Sequence, residues 1–296
     1  MKAAPYVLAG LVACTLSLSD CLGAGDGGDE LIIAGESRLE VHAGYLRQAY
    51  PDVKANLESV LGWKLLRAPR VLLTGDRDVF ERMSGNPLIS AFAVPERHSI
   101  VIYLASSPSE TYVLRETFEH ELCHLLLHEH IKAVLLPKWL DEGVCQWISG
   151  SFGEILEGKR IATVSMNLSR HPIPLGQLTS NFPKDKDSLI QAYLESRLFV
   201  DFLVVRYGKE AIVGILQQMK GGRPIEHAVQ EVLSQPLENL EREWLEELRG
   251  GSGWLLWISQ YLYEVLFFLA AVLTIVAYVR AIFRKKGYKF DEDDEE

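Results

Sequence analysis

Residues 111–131 read TYVLRETFEHELCHLLLHEHI, and after a short break residues 137–148 read PKWLDEGVCQWI. In the first stretch Val113, Leu114, Thr117, Phe118, Leu122, Leu125 and Leu126 recur at intervals of three and four, the pattern of a buried amphipathic helix. His120 and His124 are one turn apart on such a helix, so both can aim an imidazole nitrogen at one metal ion. Glu121 is rotated by about 100° from His120. That is too far round for an equal ligand, but close enough to reach a water bound to the metal, where a general base belongs. Two histidines and a glutamate buried together would be costly unless something satisfied them, and a metal ion does so.

A catalytic zinc needs a third protein ligand and an open fourth position. Glu142, eighteen positions after His124, is the best candidate, and Asp141 is the runner-up. Pro137 separates the first helix from a second, WLDEGVCQWI, that can pack against it. Adjacent residues on a helix point in different directions, so at most one of the two carboxylates is expected to face the metal. Four saturated protein ligands would instead mark a purely structural zinc site.

HELCH followed by PKWLDEGVCQWI resembles the gluzincin branch of zinc metallopeptidases, in particular the peptidase MA-like family with its "P-x-W-L-x-E-G" segment. The likeness extends upstream over Glu40 to Leu104 and downstream over His171 to Gly208, covering about residues 31–250. It implies zinc on His120, His124 and Glu142, with Glu121 as the catalytic base. It also implies an oxyanion donor from a later helix, for which Tyr193 is the candidate against a plain packed aromatic. The implied activity is endopeptidase hydrolysis of a peptide or protein substrate; the alternative is an inactive gluzincin-like binding or assembly module at a membrane. Two departures stand out. Better-known gluzincins carry an aspartate four residues after the glutamate ligand, where it accepts a hydrogen bond from a ligand histidine; Gln146 stands here, and its amide oxygen can take the same bond with less charge. The GxMEN string that grips a free amine in the aminopeptidases is absent, so an exopeptidase role has no support.

The other histidines carry less. His128 repeats the one-turn spacing after His124, but Leu125 follows His124 and leaves that pair without a base, and His42, His98, His130 and His227 are expected on surfaces. His171 is a weak alternative to Tyr193. With the leader set aside, only Cys123 and Cys145 remain, each three positions after a proposed ligand. Free buried thiols and a disulfide between the two site helices are both open readings.

The ends of the chain suggest its location. Residues 1–24 read as a signal peptide, with Lys2 before an apolar core from Tyr6 to Leu18. Leu11 to Cys14 fits a lipobox, and an uncleaved anchor is a third reading. Residues 254–282 are apolar and long enough for one transmembrane helix, which takes about 20 residues. Glu264 would then lie at the interface beside Trp254, Trp257, Tyr261 and Tyr263. Arg280, Arg284, Lys285, Lys286 and Lys289 place the C-terminus in the cytoplasm and the main domain on the extracytoplasmic side, periplasmic or extracellular. The tail at 283–296 turns acidic and reads as solvated. A net charge of −10 argues against nucleic acid as a partner.

Between these ends about 220 residues suffice for one domain with a real core. After a linker at 25–30, the expected fold is α+β: a small mixed or antiparallel sheet, then a mostly helical half carrying the HExxH helix, plus the transmembrane helix. Strands are expected at Leu31 to Ile33 or Arg38 to His42, at Arg70 to Thr74, and as a hairpin over Ala91 to Leu104 turning at Pro95 to His98. Helices are expected over 45–61, 189–207, 210–219, 224–233 and 237–248. An edge strand just before the HExxH helix would suit an extended peptide held by backbone pairing.

Overall fold

A computed structural model describes residues 31–105, 110–150 and 171–249, with a few positions between 266 and 280. The chain divides into two units, residues 1–245 and 246–296. The signal peptide, the linker and the acidic tail lie outside the described residues, as does most of the expected transmembrane span. Leu266, Phe267, Leu273 and Tyr278 from that span are helical and exposed. Among the described residues no helix is long and apolar enough to cross a membrane.

The first unit begins with β1 (Ile32–Gly35), α1 (Glu40–Leu61), β2 (Arg70–Thr74), α2 (Arg77–Ser84), β3 (Ala91–Val94) and β4 (Ser99–Tyr103). These strands form one sheet in the order β1-β2-β4-β3, in which β1, β2 and β4 are parallel and β3 runs antiparallel to β4. The sheet is therefore mixed, as expected. The parallel pairs follow from the crossovers through α1 and α2, since parallel neighbours cannot be joined by a tight turn. Pro95 to His98 makes the hairpin turn, closed by a hydrogen bond from His98 N–H to Pro95 O (3.0 Å). His98 has φ +51° there. Of the two readings for the first strand the earlier one holds, because Ser37 to Leu39 is a 3-10 turn leading into α1.

The helical half comprises α3 (Glu110–His130), α4 (Lys138–Ser149), α5 (Lys186–Tyr207), α6 (Lys209–Lys220), α7 (Ile225–Leu233) and α8 (Leu237–Glu247). Each matches an expected helix within a few residues. Pro137 sits at the N-cap of α4, where its missing N–H costs nothing. Asp185 caps α5 by accepting from Ser188 N–H (3.0 Å).

α3 departs from the amphipathic expectation. Every residue from Thr117 to Leu127 is buried, because α1, the sheet and α4 cover it from different sides. Its polar groups must therefore find partners inside. Glu119 turns to α1, where Asn56 donates to it at 2.6 Å. His120, Glu121 and His124 open instead onto a cleft.

α4 packs against both α3 and α5. Gly143 makes the second contact possible. A Cβ at this position would lie 2.4 Å from the Ser196 carbonyl oxygen and 2.7 Å from Val200 Cγ2. The glycine that follows Glu142 is thus required by backbone approach between α4 and α5, not by helix termination. Arg197 on α5 donates to the Gln146 carbonyl, and Trp139 meets Phe199 edge-on at 5.3 Å.

Candidate metal centre

Two helices build the site. α3 supplies His120 and His124, whose Nε2 atoms approach to 3.1 Å. α4 supplies Glu142, whose Oε2 lies 3.5 Å from each of those nitrogens. Tetrahedral zinc with bonds of about 2.0–2.1 Å separates its ligand atoms by roughly 3.3 Å, so these three atoms outline one face of such a site. Glu142 Oε2 and His120 Nδ1 are buried and have no hydrogen-bond partner among the described residues. An orphaned carboxylate oxygen aimed between two imidazoles is what a cation would satisfy. The residues fit zinc, with three protein ligand atoms grouped and a cleft beside them.

The surroundings favour positive charge. Burial works against a charged His124, but the carboxylates of Asp141 and Glu142 outweigh it and hold the ring well above its ordinary pKa. Burial likewise opposes charge on Glu142, yet Lys138 and the two histidines keep its carboxyl well below the usual range. The same carboxylates that stabilise an imidazolium would stabilise a divalent ion.

Asp141 does not face the metal position. Its Oδ1 accepts from His124 Nδ1 at 2.8 Å and its Oδ2 from His128 Nε2 at 2.9 Å. Donation from Nδ1 frees His124 Nε2 as the ligand nitrogen, the tautomer a metal requires. Burial is opposed here by both histidines, which keep Asp141 ionised far below its ordinary range. At most one carboxylate of the adjacent pair was expected at the metal position, and Glu142 Oε2 is the one grouped with the two imidazole nitrogens, while the expected partner of His124 is corrected. It is Asp141, and not Gln146, whose side chain is fully buried and whose amide atoms both lack partners among the described residues.

His128 has a partner the sequence did not reveal: the repeated one-turn spacing places this ring on Asp141, at the cleft wall. Position 128 follows 120 and 124 on one helix face, and that spacing was the available signal. His98 is also not on the surface. It is 3% exposed, with Nε2 2.8 Å from Arg67 O and Nδ1 3.3 Å from Glu129. His171 is exposed and does not line the cleft.

The cleft has a volume of about 1150 Å³. Glu121 and Tyr193 both line it, as does strand β3 through Ala91 to Ala93. Glu121 is 3% exposed. Tyr193 stands edge-on to Phe182 at 5.1 Å. Lys138, which drew no attention in the sequence, reaches Glu142 Oε1 at 3.1 Å and lies 5.2 Å from the Phe182 ring centre. Nearby Glu142 is the main cause holding the Lys138 ammonium above its ordinary pKa.

Cys123 and Cys145 are free and buried, so of the two open readings the thiols hold. Cys145 Sγ is 3.5 Å from His124 Nδ1. Burial, followed by the neighbouring Cys123 thiol, pushes the Cys145 thiol well up, which favours its neutral form.

A paired-histidine helix with a glutamate from the next helix, set beside a cleft under a sheet edge, defines a gluzincin-type metallopeptidase fold. A family model for the Peptidase MA superfamily matches residues 90–250, more than half of the chain. The chain belongs to that superfamily, the gluzincin clan. No curated protein matches it.

Proposed function

We propose that this protein is a membrane-anchored zinc endopeptidase whose domain, residues 31–250, faces the extracytoplasmic side. The observation that carries the reading is the convergence of His120 Nε2, His124 Nε2 and Glu142 Oε2 beside a cleft that also holds Glu121. His120, His124 and Glu142 would hold the zinc. When bound, zinc supplies Lewis-acid polarisation of the scissile carbonyl and makes water a better nucleophile near neutral pH. Glu121 takes the water proton on its carboxylate and delivers it to the leaving amine. Asp141 keeps His124 in the ligating tautomer. The Tyr193 hydroxyl donates to the carbonyl oxygen as charge develops on it.

The substrate is a peptide or protein segment in extended form. Support comes from β3, which lies at the edge of the sheet and along the cleft, where a chain can add as a further strand. The leader at 1–24 and the apolar stretch at 254–282 supply export and a single-pass anchor, with the basic residues after the span cytoplasmic.

The test is metal content and hydrolysis of a mixed peptide library by the purified domain and its Glu121→Gln form. Zinc in both, with cleavage by the parent alone, is the expected result. Zinc in both with cleavage by neither would instead make the domain a metal-bearing binding module.

A further inference from the structure

We propose that Lys138 is a positioning residue of the metal centre: its ammonium occupies Glu142 Oε1, restricts that carboxylate to ligation through Oε2, and so keeps the remaining coordination position open to the cleft. This deepens the zinc-site reading above and rests on it.

The two oxygens of Glu142 have different neighbours. Oε2 lies 3.5 Å from both imidazole Nε2 atoms and has no hydrogen-bond partner among the described residues, while Oε1 lies 3.1 Å from Lys138 Nζ. Lys138 is the first residue of α4, one turn before Glu142, so the two side chains share a helix face. An ordinary pair at this spacing on an exposed helix face contributes little. Here the glutamate side chain is 6% exposed and belongs to the ligand set. The ammonium also lies over the Phe182 ring, 5.2 Å from its centre, and Phe182 itself packs edge-on against Tyr193. The lysine, whose side chain is 38% exposed, thus touches both the ligand carboxylate and an aromatic residue of the cleft wall.

Zinc sites with three protein ligands function because one position stays open. A carboxylate with both oxygens free can swing to bind through the pair and fill that position. A cation fixed on Oε1 prevents the swing, and it also withdraws charge from the ligand, leaving the metal more electrophilic.

The experiment uses the full-length protein and its Lys138→Met, Lys138→Gln and Lys138→Arg variants, each loaded with cobalt(II) as a spectroscopic stand-in for zinc. Zinc affinity is measured by chelator competition and activity on the peptides the parent cleaves. The expected result for Met and Gln is zinc held at least as tightly as in the parent, and weaker visible cobalt bands as the second oxygen joins the metal. Hydrolysis falls by about 10- to 100-fold. Arginine restores the bands in part. Cobalt spectra of Met and Gln identical to the parent's would overturn the proposal, and so would loss of metal from both. A parent that takes up neither zinc nor cobalt would instead overturn the metal-site reading itself, a separate outcome.

Discussion

Glu195 on α5 is fully buried, two residues beyond Tyr193, and its carboxyl is pushed up from 4.5 to about 7, first by burial and further by Glu241. Its oxygens accept from Ile173 N–H at 3.1 Å, and Oε1 also accepts from Gln191 Nε2 at 2.8 Å. It thereby fastens the segment after residue 170 to the helix that carries Tyr193. Because the folded pKa lies above the unfolded one, native and unfolded chains are equally protonated below about pH 4.5. As pH rises towards 7 the unfolded chain releases its proton first, so this group's contribution to stability is progressively lost. Moving from 4.5 to about 7 at 1.36 kcal/mol per pH unit gives a loss of about 3 kcal/mol. Glu195→Gln carries no titration, so its stability relative to the parent should rise by about 3 kcal/mol from about pH 4 to about pH 8. Any constant cost of an imperfectly paired amide shifts the whole difference without changing this slope. Urea unfolding followed by tryptophan fluorescence measures it, since Trp63, Trp139 and Trp244 are buried. A difference that stays flat across that range would refute the reasoning. Glu241→Gln should shrink the slope in an otherwise unchanged protein, because it removes the carboxylate that raises Glu195.

Other outcomes follow from the same geometry. Asp141→Asn should weaken zinc binding by about 10- to 100-fold in chelator competition while the circular dichroism spectrum is retained, because the amide can turn a donor towards His124. Gly143→Ala should destabilise the fold by about 1–3 kcal/mol in urea unfolding, since the new methyl group meets the Ser196 carbonyl. Cys145→Ala should leave zinc affinity unchanged in the same competition assay; a large loss would make the thiol a ligand in place of Glu142.

The two site helices were legible from the chain because each carries a local signature. The one-turn spacing of His120 and His124 and the break at Pro137 are properties of neighbouring residues. The helices after residue 185 and the hairpin turn at Pro95 to His98 are equally local. What the sequence hid depends on how elements cross. The apolar spacing of α3 suggested one buried face, but Glu119, Cys123 and Leu127 are also covered, and only the positions of α1 and the sheet decide that. The surface expectation for His98 failed for the same reason, because Arg67 and Glu129 come from distant parts of the chain.

Asp141 shows how far a correct local rule reaches. Adjacent helical residues diverge by about 100°, so it was deducible that Asp141 and Glu142 would point to different partners. The destination of Asp141 was not, because it depends on α4 crossing α3 closely enough for Asp141 to meet His124 and His128 together. Gly143 governs the other contact of the same helix, since it allows α4 to lie against the backbone of α5. One helix thus presents three consecutive functions: Asp141 towards the histidine it orients, Glu142 towards the metal position and Gly143 towards α5. Lys138, one turn earlier, then falls on the face of Glu142 that opens to the cleft. The segment PKWLDEG is therefore a single device whose spacing matters as a whole. Moving its glycine by one residue would set a side chain against the Ser196 carbonyl and unseat from α5 the helix that carries both Asp141 and Glu142.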